Sequence, residues 1–143
     1  MGYPAMKVAR YIVTYCNAHA CPISNLKLQK ILYFAWIDYY KAKKEYLFGD
    51  YMCAWQLGPV VPDVYYEFCV YGGMPITQEY PETLATEDQA LLNAIIPRYA
   101  SQTAGELVAR SHQPGKPWDL TYRGGEGMYC ALLFNKIIEL ECK

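Results

Sequence analysis

The sequence lacks an excess of either charge: 13 basic and 14 acidic residues leave a net charge of −1 over 143 residues. Neutralising a phosphate backbone takes a basic surplus, so nucleic acid is a poor first candidate for a partner. Also missing are the roughly 18 uninterrupted apolar residues of a membrane span and a charged start followed by an apolar core and cleavage site. These absences argue against a membrane partner and lead to the expectation of a soluble, cytoplasmic protein. No CxxC motif occurs. The six cysteines (Cys16, Cys21, Cys53, Cys69, Cys130 and Cys142) are expected as free thiols in a reducing compartment. The close pair Cys16 and Cys21 has only His19 beside it, too few ligands for a structural zinc.

What is abundant is tyrosine, fifteen of them, a residue that gives large contact area at low entropy cost and is enriched in protein interfaces. The length suits one domain, residues 1–143, able to bury roughly two thirds of its unfolded surface.

The stretch Ile23–Tyr40, ISNLKLQKILYFAWIDYY, organises the rest. Eleven of the fifteen residues from Leu26 to Tyr40 are apolar or aromatic, too many for a helix with one face on a surface, so a central, largely buried helix is expected. At 100° per residue Lys27, Lys30, Asp38 and Lys41 share one narrow stripe, expected to face water. Gln29 lies roughly opposite, where burial of its amide demands hydrogen-bond partners from another segment. Ser24 suits the N-cap, and three lysines from Lys41 to Lys44 suit the negative end of the helix dipole.

Along the chain, Pro4–Ala18 has Val8, Tyr11, Ile12, Tyr15 and Cys16 at helical spacing. Tyr51–Gln56 reads as a short extended segment. Leu57-Gly58-Pro59-Val60-Val61-Pro62 then reads as a rigid corner without regular structure. From Pro62 a helix starts that turns Val64, Tyr65, Phe68 and Cys69 toward the core and ends at Gly72-Gly73. After a linker, Met74–Thr83, two capping boxes are expected, Thr86–Gln89 and Thr103–Glu106, each opening a helix. Ser111–Gly127 reads as loop anchored by Trp118 and Tyr122. Met128–Phe134 is open between a strand and a helix start, and Asn135–Glu141 reads as helix.

For chemistry, Ser111, His112 and Asp119 invite a reading as a small hydrolase or nucleotide-handling enzyme, in which serine attacks, histidine takes the proton and the acid orients it. Neighbours on one chain seldom point at each other in that geometry, and a histidine at a helix C-terminus is a favourable structural arrangement. Whether the three side chains meet within hydrogen-bond reach separates the readings. Trp36, Trp55 and Trp118 are large enough to stack a flat ligand, but two of them sit in apolar segments as core residues do. A DNA-binding regulator is a third alternative, and it predicts steeply salt-dependent binding.

Two stretches together, Leu26-Lys27-Leu28-Gln29-Lys30-Ile31-Leu32-Tyr33-Phe34 and Ala54-Trp55-Gln56-Leu57-Gly58-Pro59-Val60-Val61-Pro62-Asp63-Val64-Tyr65, resemble the signature of the Panacea domain family of SocA-like antitoxins, often labelled phage-associated proteins. Ser111-His112 and Pro117-Trp118 resemble its later motif. The resemblance runs from Val8 to about Trp118, and Gly124–Lys143 lacks a match to the family's closing helix. It implies a mostly α-helical fold with a small β element and a protein that binds and neutralises a toxin encoded beside it. Some relatives hand the toxin to a protease. No cofactor is expected, and the lack of a dense catalytic cluster beside the high aromatic content argues against an enzyme. Since relatives pair with unrelated toxins, Gln29, Trp55, Gly58, Pro59, Tyr65 and Trp118 are expected to be scaffold. Contact with the toxin is expected either from the stripe residues Lys27 and Lys30 or from Tyr122 and Arg123 in the glycine-rich loop.

Overall fold

Ser24 lies in extended conformation, its hydroxyl accepts the Lys27 amide at 3.3 Å, and from this cap helix α2 runs Asn25–Lys43 until Lys44 turns left-handed at φ 57°. The computed structural model describes residues 2–143. Helix α1 (Ala5–Ala18) precedes α2, and Val8, Ile12 and Cys16 turn inward at the expected spacing. After α2 come the strands β1 (Cys53–Trp55) and β2 (Gly58–Val60), then the helices α3 (Pro62–Phe68), α4 (Thr86–Ala100), α5 (Ala104–Ser111), α6 (Pro117–Tyr122) and α7 (Phe134–Glu141). The fold is mostly α with a small β element, as expected. Helix α2 is its axis, packed against α1, α3, α4, α5, α7 and β2. Twelve of its side chains are buried. No helix among the described residues is long and apolar enough to cross a membrane.

The stripe on α2 does not face water, and the reason is that α4 and α5 pack over it. Lys30 is fully buried. Lys27 donates to the Ala100 carbonyl at the end of α4 at 2.6 Å. Asp38 accepts from Tyr99 and Arg98 at 2.6 and 3.2 Å, and only Lys41 of the four is exposed. Each covered charge has been given a partner, which is the condition on which a charged side chain tolerates burial.

Four further expectations are corrected. The corner after Leu57 contains a strand, because a tight turn at Gln56-Leu57 brings β2 back along β1 with Cys53 opposite Val60 and Trp55 opposite Gly58. Cys69 is exposed, since the chain tightens into a 3-10 turn at Cys69–Tyr71 and rotates it off the inner face. The stretch Ser111–Gly127 is not all loop: Pro117 opens α6 with its ring already at helical φ, and Trp118 buries one side of that helix. Of the two capping boxes, only Thr103–Glu106 forms, with both reciprocal bonds, at 2.8 and 3.1 Å. At Thr86 the helix starts one residue early, from Ala85, and Gln89 accepts the Leu84 amide instead. Met128–Phe134 is resolved into an isolated bridge of Ala131 to Cys53, followed by the start of α7.

Asp88 is diverted from capping to a tertiary knot in which Tyr3, Tyr39 and Lys43 donate to its carboxylate. Burial alone would raise this carboxyl, but the three donors outweigh it and hold it below the usual carboxylate range.

Because one box forms and the other does not, Thr103→Ala should lower stability by about 1 kcal/mol, whereas Thr86→Ala should stay within about 0.5 kcal/mol. Urea denaturation midpoints of the two variants check this, and equal losses would contradict the cap assignment.

Candidate functional site

Antiparallel pairing leaves alternate backbone groups of a two-stranded ribbon pointing outward on both edges, and each needs a partner. On the outer edge of β1, Ala54 donates to Cys130 O at 2.8 Å and accepts from the Tyr129 amide at 2.7 Å. On the outer edge of β2 the partners are side chains of α2. Lys30 Nζ donates to Pro59 O at 2.7 Å, and Gln29 Oε1 accepts the Val61 amide at 3.0 Å. Pro59 has no N–H to leave unpaired, which is why proline is tolerated at this edge. Gln29 Nε2 donates in turn to Asn25 Oδ1 at 3.0 Å, and Asn25 Nδ2 donates to the Tyr65 carbonyl of α3 at 3.0 Å. The expected pin at Gln29 is thus a relay that ties α2 to both β2 and α3.

Gly58 closes over this edge with φ 112°, and a Cβ there would lie 2.7 Å from Ser111 Oγ and 2.9 Å from Lys30 Cε. Only glycine fits that close approach at that φ. Lys30 is shut in beneath it, and burial pushes its amine down from 10.5 to about 7. The corner motif Leu57–Pro62 and the motif around Gln29 therefore meet each other in space.

The hydrolase arrangement is not assembled. Ser111, buried, donates to Val108 O at 2.8 Å, and Asp119 accepts the Gly115 amide at 2.9 Å. His112 caps the C-terminus of α5 and stacks on Trp118 with ring centres 3.7 Å apart. Burial first, and Lys30 second, lower the pKa of the imidazole. No hydrogen bond joins the three residues among those described. Trp118 Nε1 donates to Trp55 O at 2.8 Å, and Tyr122 stacks on the other side of Trp118 at 4.5 Å. The motif residues of α5 and α6 thus hold the far end of the hairpin. Among the described residues, no group of three His, Cys, Asp or Glu is placed to hold a metal.

Outside this scaffold lies an aromatic surface that sequence reasoning missed. Trp55, half-buried, is met edge-on by Tyr65 at 5.0 Å and Tyr129 at 5.8 Å, with Tyr66 at 6.0 Å. Tyr66, Tyr129 and Leu57 are 61%, 65% and 51% exposed. Trp55, Leu57, Tyr65 and Tyr129 line a cavity of about 250 Å³ together with Leu26, Val60 and Met128, and Tyr66 lies outside its lining. Tyr129 and Cys130 together face Ala54 in a bulge, a place that favours glycine, yet Tyr129 holds φ 70°. A left-handed tyrosine costs roughly 1–2 kcal/mol. The high tyrosine count was the only signal of this surface in the sequence. Of the contact residues expected from the sequence, Arg123 is exposed, Tyr122 is half-buried on Trp118, Lys27 is half-buried on Ala100 O, and Lys30 has no exposed atom to offer a partner.

Between about pH 7 and 10.5 the unfolded chain holds a proton on Lys30 that the folded chain has released, so stability rises with pH across that window and the full cost of the buried charge returns below it. Subtracting the denaturation free energies of Lys30→Met from those of the wild type isolates this group. The difference should move toward the wild type by roughly 2 kcal/mol from about pH 7 to about pH 9. A flat difference would contradict the buried, deprotonating amine.

Comparison with known proteins places this geometry. The family model described as "Antitoxin SocA-like, Panacea domain" matches residues 28–119, from the first turn of α2 into the first turn of α6. The chain is similar to Antitoxin SocA of Caulobacter vibrioides, 31% identical over 135 residues, covering 84% of this chain and 71% of that protein. No solved structure matches it. The matched region holds the residues that pin the hairpin to α2 and dock α6 on it, and the chain belongs to the SocA-like antitoxin family that carries the Panacea domain.

Proposed function

We propose that the protein is an antitoxin that binds a protein toxin directly, without a cofactor and without catalysing a reaction, the toxin being encoded in the adjacent gene. The observation that carries this reading is the division of labour at the hairpin. The polar motif residues are spent on holding β2, Ser111 is tied to Val108, and the side chains left facing outward are Leu57, Tyr66 and Tyr129 around Trp55. Exposed aromatics on a rigid support resemble the anchors of protein interfaces rather than a catalytic cleft. Arg123, exposed at the end of α6, and Tyr122, stacked on Trp118, are further contacts on this reading. Neutralisation proceeds by covering the toxin or by handing it to a protease, and the toxin's lifetime in cells separates the two modes: unchanged in the first, shortened in the second.

The decisive test is expression of the neighbouring reading frame with and without this chain, with the pair of purified proteins then titrated against each other. Growth arrest relieved by co-expression is expected. Tyr66→Ala with Tyr129→Gly should weaken toxin binding more than tenfold, about 1.4 kcal/mol. Tyr129→Gly alone should leave stability unchanged or raise it by about 1 kcal/mol, because glycine relieves the left-handed strain. Full affinity in the double variant would move the interface elsewhere, and growth arrest that co-expression fails to relieve would overturn the antitoxin reading.

A further inference from the structure

A second surface feature lies away from the aromatic patch, where α2, α5 and α7 converge on a polar cavity of about 310 Å³. Its inner wall is the stacked pair Phe34 and Tyr99, with ring centres 5.1 Å apart. The guanidinium of Arg110 lies over both rings, 5.4 and 5.5 Å from their centres, so the rings are covered and the cation faces the cavity. Two carboxylates also line it, and both are engaged. Asp38 accepts from Tyr99 and Arg98, and Glu141 accepts from Tyr33 at 3.0 Å with Lys116 Nζ 3.8 Å away. Lys116 is further held by Leu140 O at 2.9 Å. That leaves Lys41 and Arg110, both exposed and both without a carboxylate partner among the described residues.

We infer that this cavity is an oxyanion site that receives an acidic side chain of the toxin. The inference rests on the antitoxin reading for the source of the carboxylate, and on the cavity alone for the carboxylate. Arg110 offers a planar fork of donors that matches a carboxylate in two bonds, its aromatic floor limits its freedom before binding, and Lys41 supplies a second charge. A cavity of this size falls at the small end of ligand pockets and accommodates a side chain. A phosphate dianion fits less well, because Asp38 and Glu141 face the same space and repel a second negative charge.

The test uses the intact protein and two probes, an acetylated and amidated tetraglutamate peptide and inorganic phosphate, followed by amide NMR shifts. The peptide should move the Lys41, Arg110 and Gln113 amides saturably, and Lys41→Ala with Arg110→Gln should abolish the response while the melting temperature holds. The same double variant should bind the neighbouring toxin more than tenfold more weakly, with the loss shrinking at high salt. Unmoved amides would overturn the site, as would wild-type toxin affinity in the double variant. If phosphate moves the same amides at lower concentration than the peptide, the site takes a free anion and the protein source is wrong. If the wild-type chain binds no toxin at all, the antitoxin reading fails, and the peptide titration still decides whether the carboxylate site exists.

Discussion

The unpaired edge of β2 is the constraint on which the rest of the structure depends. A three-residue strand has little cross-strand pairing to hold it, and a lone hairpin of this length is marginal in water. Here α2 satisfies the exposed edge with two side chains, Lys30 on Pro59 O and Gln29 on Val61 N. Those two bonds fix how far α2 is rotated and how deep the hairpin sits. They bring Gly58 against Ser111, leave Trp55 O available to Trp118, and set the angle at which α3 leaves with Tyr65 and Tyr66. Burying an amine is costly, and a pKa near 7 is the form that cost takes at Lys30. The gain is register: an apolar residue at position 30 would leave a backbone carbonyl with nothing to receive.

Much of the helical framework was legible from spacing. The periodicity of α1, the density of apolar residues in α2, the Ser24 and Thr103 caps and the proline start of α3 are local signals, and local signals survive folding. Gln29 was legible because a polar residue on the fully buried face of such a helix has no alternative to a tertiary partner. The stripe Lys27–Lys30–Asp38–Lys41 was not, for a reason its own geometry conceals. Helical angle states which residues share a face, not which later segment covers that face, and α4 and α5 arrive more than forty residues downstream. Asp88 is similar: its place in a capping pattern is local, while the Tyr3, Tyr39 and Lys43 donors that claim it come from far along the chain. The aromatic surface was illegible in detail because Trp55, Tyr66 and Tyr129 come from three separate segments and only the hairpin places them together.

On the proposed antitoxin reading, the arrangement separates a shared scaffold motif from the surface that would meet the partner. Residues carrying the family resemblance are spent on internal bonds, and their volumes and polar contacts constrain one another. Leu57 on the hairpin turn, Tyr66 on the outer side of α3 and Tyr129 at the bulge stay exposed outside that network, and surface positions of this kind tolerate change better than packed ones.

Hydrogen–deuterium exchange of the protein, alone and saturated with the product of the neighbouring reading frame, the proposed toxin, tests this account most directly. Protection on binding is expected in peptides covering residues 55–58, 65–71 and 127–132, with the buried core of α2 unchanged. Protection confined to α1 and the 74–85 segment, with the hairpin exchanging as in the free protein, would contradict it.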